Sequence, residues 1–138
     1  MIDKEIIRIA SNTENHGALD SHTHFSKLKN SICGDDMKIY LIVNNNKITN
    51  FKYECESCIY CQASVSLLSR KAKNISIEKV KNFAQQANSY FDKSTNYFGK
   101  EWKEFDKIMT KNNISRKECF LLPINTTIDA ISKKMYET

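Results

Sequence analysis

One proline, three glycines and no apolar run near the roughly 20 residues of a bilayer span set the first limits on this chain of 138 residues. With so few chain breakers and 41% hydrophobic residues, a well-structured chain with a small core is expected. The length fits one domain spanning 1–138. The opening Met1-Ile2-Asp3-Lys4-Glu5 lacks the charged-then-apolar order of a signal peptide, so a reducing cytoplasm is the expected compartment, with no membrane partner. In that compartment five cysteines point to metal or sulfur chemistry before disulfides, and an odd number excludes a complete disulfide framework. The glycosylation patterns at Asn74-Ile75-Ser76 and Asn113-Ile114-Ser115 carry no meaning without secretion. The net charge of +5 is spread along the chain among acids, not gathered in a block. A solvated surface is expected from it, not a nucleic-acid footprint.

Periodicity orders the chain as one helix, a small antiparallel sheet and then more helices. Residues 3–11 carry Ile6, Ile7 and Ala10 at helical spacing. A strand is expected around His22 to Lys27, and residues 37–43 and 47–54 read as a hairpin turned by Asn44-Asn45-Asn46. Ile59 to Lys71 reads as a helix with Ile59, Ala63, Ser66, Leu67 and Arg70 along one side. Ser76 can cap the next helix, whose stripe is Ile77, Val80, Phe83 and Ala84. A linker over 92–100 precedes a helix over 101–110 with Trp102, Phe105 and Met109 inward. After Pro123, residues 125–136 form a last helix with Ile128, Ile131 and Met135 inward. The expected class is α+β, about three strands packed on four to five helices.

The cysteines carry the chemistry. Cys58 falls where a strand ends and a helix begins, a place where unpaired N–H groups lower a thiol's pKa and favour a nucleophile or ligand. A small buried side chain is the competing reading there. Cys33-Gly34-Asp35 joins a thiolate and a carboxylate across a glycine turn, so both can face one point; Asp36 should point elsewhere. Cys119, followed by Phe120-Leu121-Leu122-Pro123, reads alone as core. Cys55-x-x-Cys58-x-x-Cys61 has one run of three thiols where a structural zinc site has two paired knuckles. A redox Cys-x-x-Cys would suit a strand-to-helix junction, but the rest of a thioredoxin-type pattern is missing. Cys55 and Cys61 are therefore accessory thiols or core. His16, His22 and His24 have no cysteine or carboxylate pattern beside them and read as surface or loop residues.

Four segments in order resemble one family. Asn12-Thr13-Glu14-Asn15-His16-Gly17-Ala18-Leu19 is similar to its Asn-Pro-x-Asn-x-Gly-x-Leu opening, and Asn30-Ser31-Ile32-Cys33-Gly34-Asp35 to its Asn-Pro-x-Cys-Gly-Asp. Tyr53 through Leu68, with Gln62-Ala63-Ser64-Val65-Ser66 after Cys58, resembles its cysteine and Ala-Ser-x-Ser helix. Arg116-x-x-Cys119-x-Leu-Leu-Pro123 resembles its closing motif. This is the iron–sulfur cluster assembly scaffold family of the IscU, SufU and NifU N-terminal type, and the likeness runs from about residue 6 to 134. The chain departs from the pattern at Thr13 and Ser31, where the family has prolines, at Cys55 and Ser57, where it has glycines, and at Cys61, where it has a small residue.

The resemblance implies a small antiparallel sheet covered by helices and a site of Cys33, Asp35, Cys58 and Cys119. Those residues would bind iron or a nascent [2Fe-2S] cluster, or zinc in the SufU branch. Cys119 would accept sulfur from a cysteine desulfurase, with Cys58 beside it, and the recipients would be apo iron–sulfur proteins. Glu118 stands where many members have histidine, and the long stretch from 72 to 115 also resembles the SufU-like, SUF-system branch. A scaffold, monomeric or weakly dimeric, is the expected function. A zinc-dependent sulfurtransferase is the alternative enzyme reading, and a structural zinc module stands behind both.

Overall fold

The computed structural model describes residues 3–31, 34–92 and 98–133. Its sheet is a four-stranded antiparallel meander in the order β1 (His24–Asn30), β2 (Asp35–Asn44), β3 (Lys47–Glu56) and β4 (Ile75–Ser76). Asn44 pairs with Lys47, and Asn45 and Asn46 make the turn at φ 51° and 63°. Such left-handed angles are what a two-residue hairpin loop needs and what asparagine tolerates. β1 starts two residues later than expected. β4 had no counterpart in the sequence reading, because two residues carry no periodicity.

On β2 the alternate residues Asp35, Met37, Ile39 and Leu41 are buried, and on β3 Ile48, Phe51 and Tyr53. The change of parity between Ile48 and Phe51 accompanies a bulge in the pairing at Ile42/Val43. Helices α1 (Lys4–Ala10), α2 (Ile59–Lys71), α3 (Ile77–Asn88) and α4 (Lys117–Ile131) complete the core, α4 lying on β1 and β2 and α2 on β3. The architecture is thus α+β, with one strand more than expected.

Each helix reports on its sequence pattern. Asp3 caps α1 through the Glu5 N–H at 2.9 Å, but Ile6, Ile9 and Ala10 face inward while Ile7 is 46% exposed. Of the expected Ile6, Ile7 and Ala10, the first and last are buried; adjacent isoleucines cannot both face the core, and Ile9 takes the place of Ile7. α2 has no single buried side: Cys61 and Ala63 through Ser69 are all buried, because the helix lies among the sheet, α1, α4 and the segment after α3. Ile59 and Arg70 are only half-buried. Ser76 caps α3 as expected, with Val80, Phe83, Ala84 and Ala87 inward and Ile77 half-buried.

The expected helix over 101–110 is a 3-10 helix, Lys100–Lys107, with Trp102, Phe105 and Met109 buried. A three-residue period aligns Trp102 with Phe105. Phe83 stacks on Trp102 at 4.2 Å between ring centroids and meets Phe105 at 4.8 Å. Pro123 does not precede the last helix but lies buried inside α4, which starts at Lys117. A helix tolerates proline here because packing outweighs one lost hydrogen bond. Ile131 is buried and Ile128 half-buried; Met135 lies outside the described residues.

Phe83→Ala should lose about 3–5 kcal/mol of stability, and Ile7→Ala about 0.5 kcal/mol or less. Urea unfolding of both variants checks the contrast.

Candidate metal centre

Three elements meet at one point. Asp35 opens β2 on its core-facing side and is 5% exposed. Gly34 before it sits at φ 74°, the left-handed turn that glycine adopts without strain, and its N–H bonds to the Asn30 carbonyl at 2.7 Å. Cys58 is the N-cap of α2, with extended angles (φ −70°, ψ 167°). Cys119 lies in the first turn of α4 and is buried. A carboxylate oxygen of Asp35 and the two Sγ atoms all lie within 4.8 Å of one another. The Cys58 N–H also donates to Asp35 Oδ1 at 3.2 Å.

Packing fixes the two helix ends. Ser64 on α2 donates its hydroxyl to the Phe120 carbonyl at 2.7 Å. Tyr60 meets Phe120 edge-on at 5.8 Å, and the Arg116 guanidinium lies 4.9 Å from the Tyr60 ring centroid. Arg116 and Tyr60 therefore hold the start of α4 against the start of α2. Sequence reasoning missed this clamp, since 56 positions separate the partners and only the fold brings them together. Ser66 donates to the Asn12 carbonyl at 2.6 Å, which draws the loop after α1 onto the same helix.

The donor set suits a soft or borderline cation: thiolates favour iron and zinc, and a carboxylate adds a harder, more exchangeable oxygen. Two helix N-termini, the cap of α2 and the first turn of α4, meet at the group and favour its negative charge. Of the four residues expected at the site, the structure brings together Asp35, Cys58 and Cys119; Cys33 lies outside the described residues. Asp36 projects from the other side of β2 and lies 3.9 Å from Lys29 Nζ. Cys55 and Cys61 do not join the group. Burial raises the Cys55 thiol and pushes the Cys61 thiol far up, in each case opposed by the Ser57 hydroxyl.

The histidines also stand apart from the group. His22 Nδ1 lies 2.7 Å from the Leu19 carbonyl, and His24 Nδ1 lies 2.8 Å from the Thr23 hydroxyl. His16 packs edge-on against Tyr53 at 5.4 Å. Burial raises the Tyr53 phenol to about 12.

Residues 1–93 match the family described as NifU-like N terminal domain. The chain belongs to that family. It is an IscU/NifU-like member of the iron–sulfur cluster assembly scaffold proteins. An iron–sulfur cluster assembly scaffold protein IscU from Thermotoga maritima is 27% identical over 134 residues, covering 96% of this chain and 94% of that protein. An uncharacterized protein of Borreliella burgdorferi is 29% identical over 129 residues, 93% of this chain and 87% of its own length. Two crystal structures share the fold at a TM-score of 0.82. One is a nitrogen-fixing NifU-like N-terminal protein from Brucella abortus, 21% identical and covering 94% of this chain and 90% of its own. The other is a candidate SUF-system scaffold, FiSufU, from Fervidobacterium islandicum, 23% identical and covering 95% and 96%.

Anaerobic cobalt(II) titration should give a thiolate charge-transfer band. Cys58→Ser and Cys119→Ser should each weaken binding by more than the roughly tenfold loss that follows removal of a ligand's outer hydrogen-bond partner. Cys55→Ser and Cys61→Ser should bind like the parent chain; the opposite order would move the site to the accessory thiols.

Proposed function

We propose that this chain is an iron–sulfur scaffold that accepts sulfur from a cysteine desulfurase and holds iron or a nascent [2Fe-2S] cluster for transfer to apo-proteins. The observation that carries the reading is the meeting of Asp35, Cys58 and Cys119 within 4.8 Å in a NifU-like chain. Cys33, one position before the Gly34 turn, is the proposed fourth ligand. The whole of 1–138 acts as one domain in this proposal, in the cytoplasm.

The cluster is cargo, so the site must hold and then release. Cys58 and Cys33 share it. Asp35 is the exchangeable ligand: its carboxylate already receives the Cys58 N–H, and a hard oxygen binds iron less tightly than a fourth thiolate. Cys119 takes the incoming sulfur by attacking the outer sulfur of the desulfurase persulfide, so that the new S–S bond forms as the desulfurase thiolate leaves. The residue beside it, Glu118, is exposed, and no imidazole stands next to the thiol. That feature favours the second reading, a SufU-like zinc-dependent sulfurtransferase, in which the same residues hold zinc until ligand exchange frees Cys119.

Reconstitution under anaerobic conditions with ferrous iron, cysteine and a desulfurase separates the two. The scaffold should bind iron and acid-labile sulfide in near-equal amounts with little zinc; retained zinc without labile sulfide selects the sulfurtransferase. Cys119→Ala should abolish sulfur acceptance, read by radiolabelled sulfur on the chain, and full labelling would remove Cys119 from the role. In Asp35→Ala cluster loss to a chelator should slow, and faster loss would contradict the exchangeable-ligand argument.

A further inference from the structure

One edge of the sheet runs beside a helix and ends near the metal centre. β1 is the end strand in the order β1-β2-β3-β4, and among the described residues no strand pairs with its outer side. An end strand turns alternate N–H and C=O groups away from its neighbour, where another chain can pair with them. α4 lies alongside in the opposite direction. Toward one end the Ser26 hydroxyl donates to the Asp129 carboxylate. Toward the other, the stretch from Leu28 to Ser31 lines a cavity of about 300 Å³ together with Glu118, Leu122 and Asn125. These α4 residues fall three or four positions apart, so they form one ridge facing the strand. Glu118 directly precedes Cys119, and Asn30 is the strand partner of Asp35, so the groove between β1 and α4 ends beside the site.

We infer that this groove takes an extended segment of a cluster-receiving protein as an added strand, paired to β1 through the main chain. The inference rests on the scaffold reading above. Lys27 and Lys29 are exposed on the side of β1 away from the core, in one row with Phe25. Side chains of an added strand stand opposite that row, where opposite charges stabilise and like charges oppose. The segment therefore carries acids on that side. Its other side lies over Leu28 and Leu122, with Glu118 and Asp129 toward the two ends, so apolar residues belong there and acids do not. Alternating acidic and apolar residues are the match. A second copy of β1 is a poor one, because two-fold pairing centred on Lys27 or Leu28 sets lysine against lysine. Main-chain pairing fixes a segment without reading every side chain, which suits one scaffold serving recipients of different sequence. A cysteine just past the segment enters beside Asp35, the ligand proposed to exchange.

The probe is a capped pentapeptide, Glu-Val-Glu-Val-Glu, added to the full chain and followed by heteronuclear NMR. Its controls are Lys-Val-Lys-Val-Lys and two N-methylated forms of the acidic peptide, one methylated at the glutamates and one at the valines. Amide shifts should concentrate on β1. Only alternate amides of an added strand face β1, so one methylated form should bind like the parent peptide and the other roughly tenfold more weakly. The lysine peptide should bind about threefold more weakly than the acidic one. Lys27→Glu should reverse that order, whereas a merely loosened chain would weaken both. Excess acidic peptide should slow [2Fe-2S] transfer from the reconstituted chain to an apo-ferredoxin and leave sulfur loading by a desulfurase unchanged. Absence of binding, shifts away from β1, equal behaviour of the two methylated forms, or slowed loading with unchanged transfer overturns the proposal. If the peptides bind as expected but the chain assembles no cluster, the groove stands as a strand-docking site and the scaffold reading falls.

Discussion

The hydrogen bond from the Cys58 N–H to Asp35 joins the start of a strand to the cap of a helix 23 positions later. Much of the molecule is arranged so that this bond can form. The carboxylate must lie on the core-facing side of β2, which the alternation through Met37, Ile39 and Leu41 provides. The helix must begin at Cys58 and not one residue either way, because one position along an α-helix turns a side chain by about 100°. A buried carboxylate needs such donors. Here the donor is one of the amides that a helix start leaves without an internal partner. The same bond therefore supports the acid, caps the helix and brings a thiol beside the carboxylate.

Helix α2 supports that arrangement with serines where most central helices have larger apolar residues. Ser64, Ser66 and Ser69 are nearly fully buried, and each hydroxyl has a carbonyl to bond. Small side chains let α1 and α4 approach closely, and the Ser64 and Ser66 hydroxyls tie α2 to the backbone of α4 and of the loop after α1. Asn15 extends the same network, since its amide donates to Ser69 and its oxygen accepts from Lys73. The loop that holds Asn15 also pairs with β3 at Tyr53, covering part of an exposed strand edge. The core is thus partly polar beside the site and mainly aromatic and aliphatic farther off, around Phe83 and Trp102.

The sequence made the elements legible where local chemistry decided them. The hairpin follows from asparagines that accept positive φ, and α3 from a serine cap and a clear stripe. Where tertiary packing decided, the reading failed. Pro123 marks a helix end by its own chemistry, yet neighbours on several sides hold α4 through it. α2 is buried nearly all round, so no stripe could describe it, and β4 exists only because the chain after α2 passes the edge of β3. Among the site residues, Cys58 was readable as a helix start and Asp35 as the partner of a turn glycine. Cys119 looked like core by itself and is buried; only its company gives it meaning. The Arg116–Tyr60 contact was beyond any local pattern.

Pro123 lies four residues after Cys119, so it has no N–H to offer to the Cys119 carbonyl. The opening turn of α4 is therefore one rung short of a full ladder. Unwinding that turn sacrifices fewer backbone bonds than opening an ordinary helix end, while Thr126 and Thr127, bonded to the Leu122 and Pro123 carbonyls, keep the body of the helix closed. The proline works as a fracture line: the first turn, which holds the buried Cys119, is the part of α4 that can loosen at the lowest backbone cost while the helix behind it stays docked.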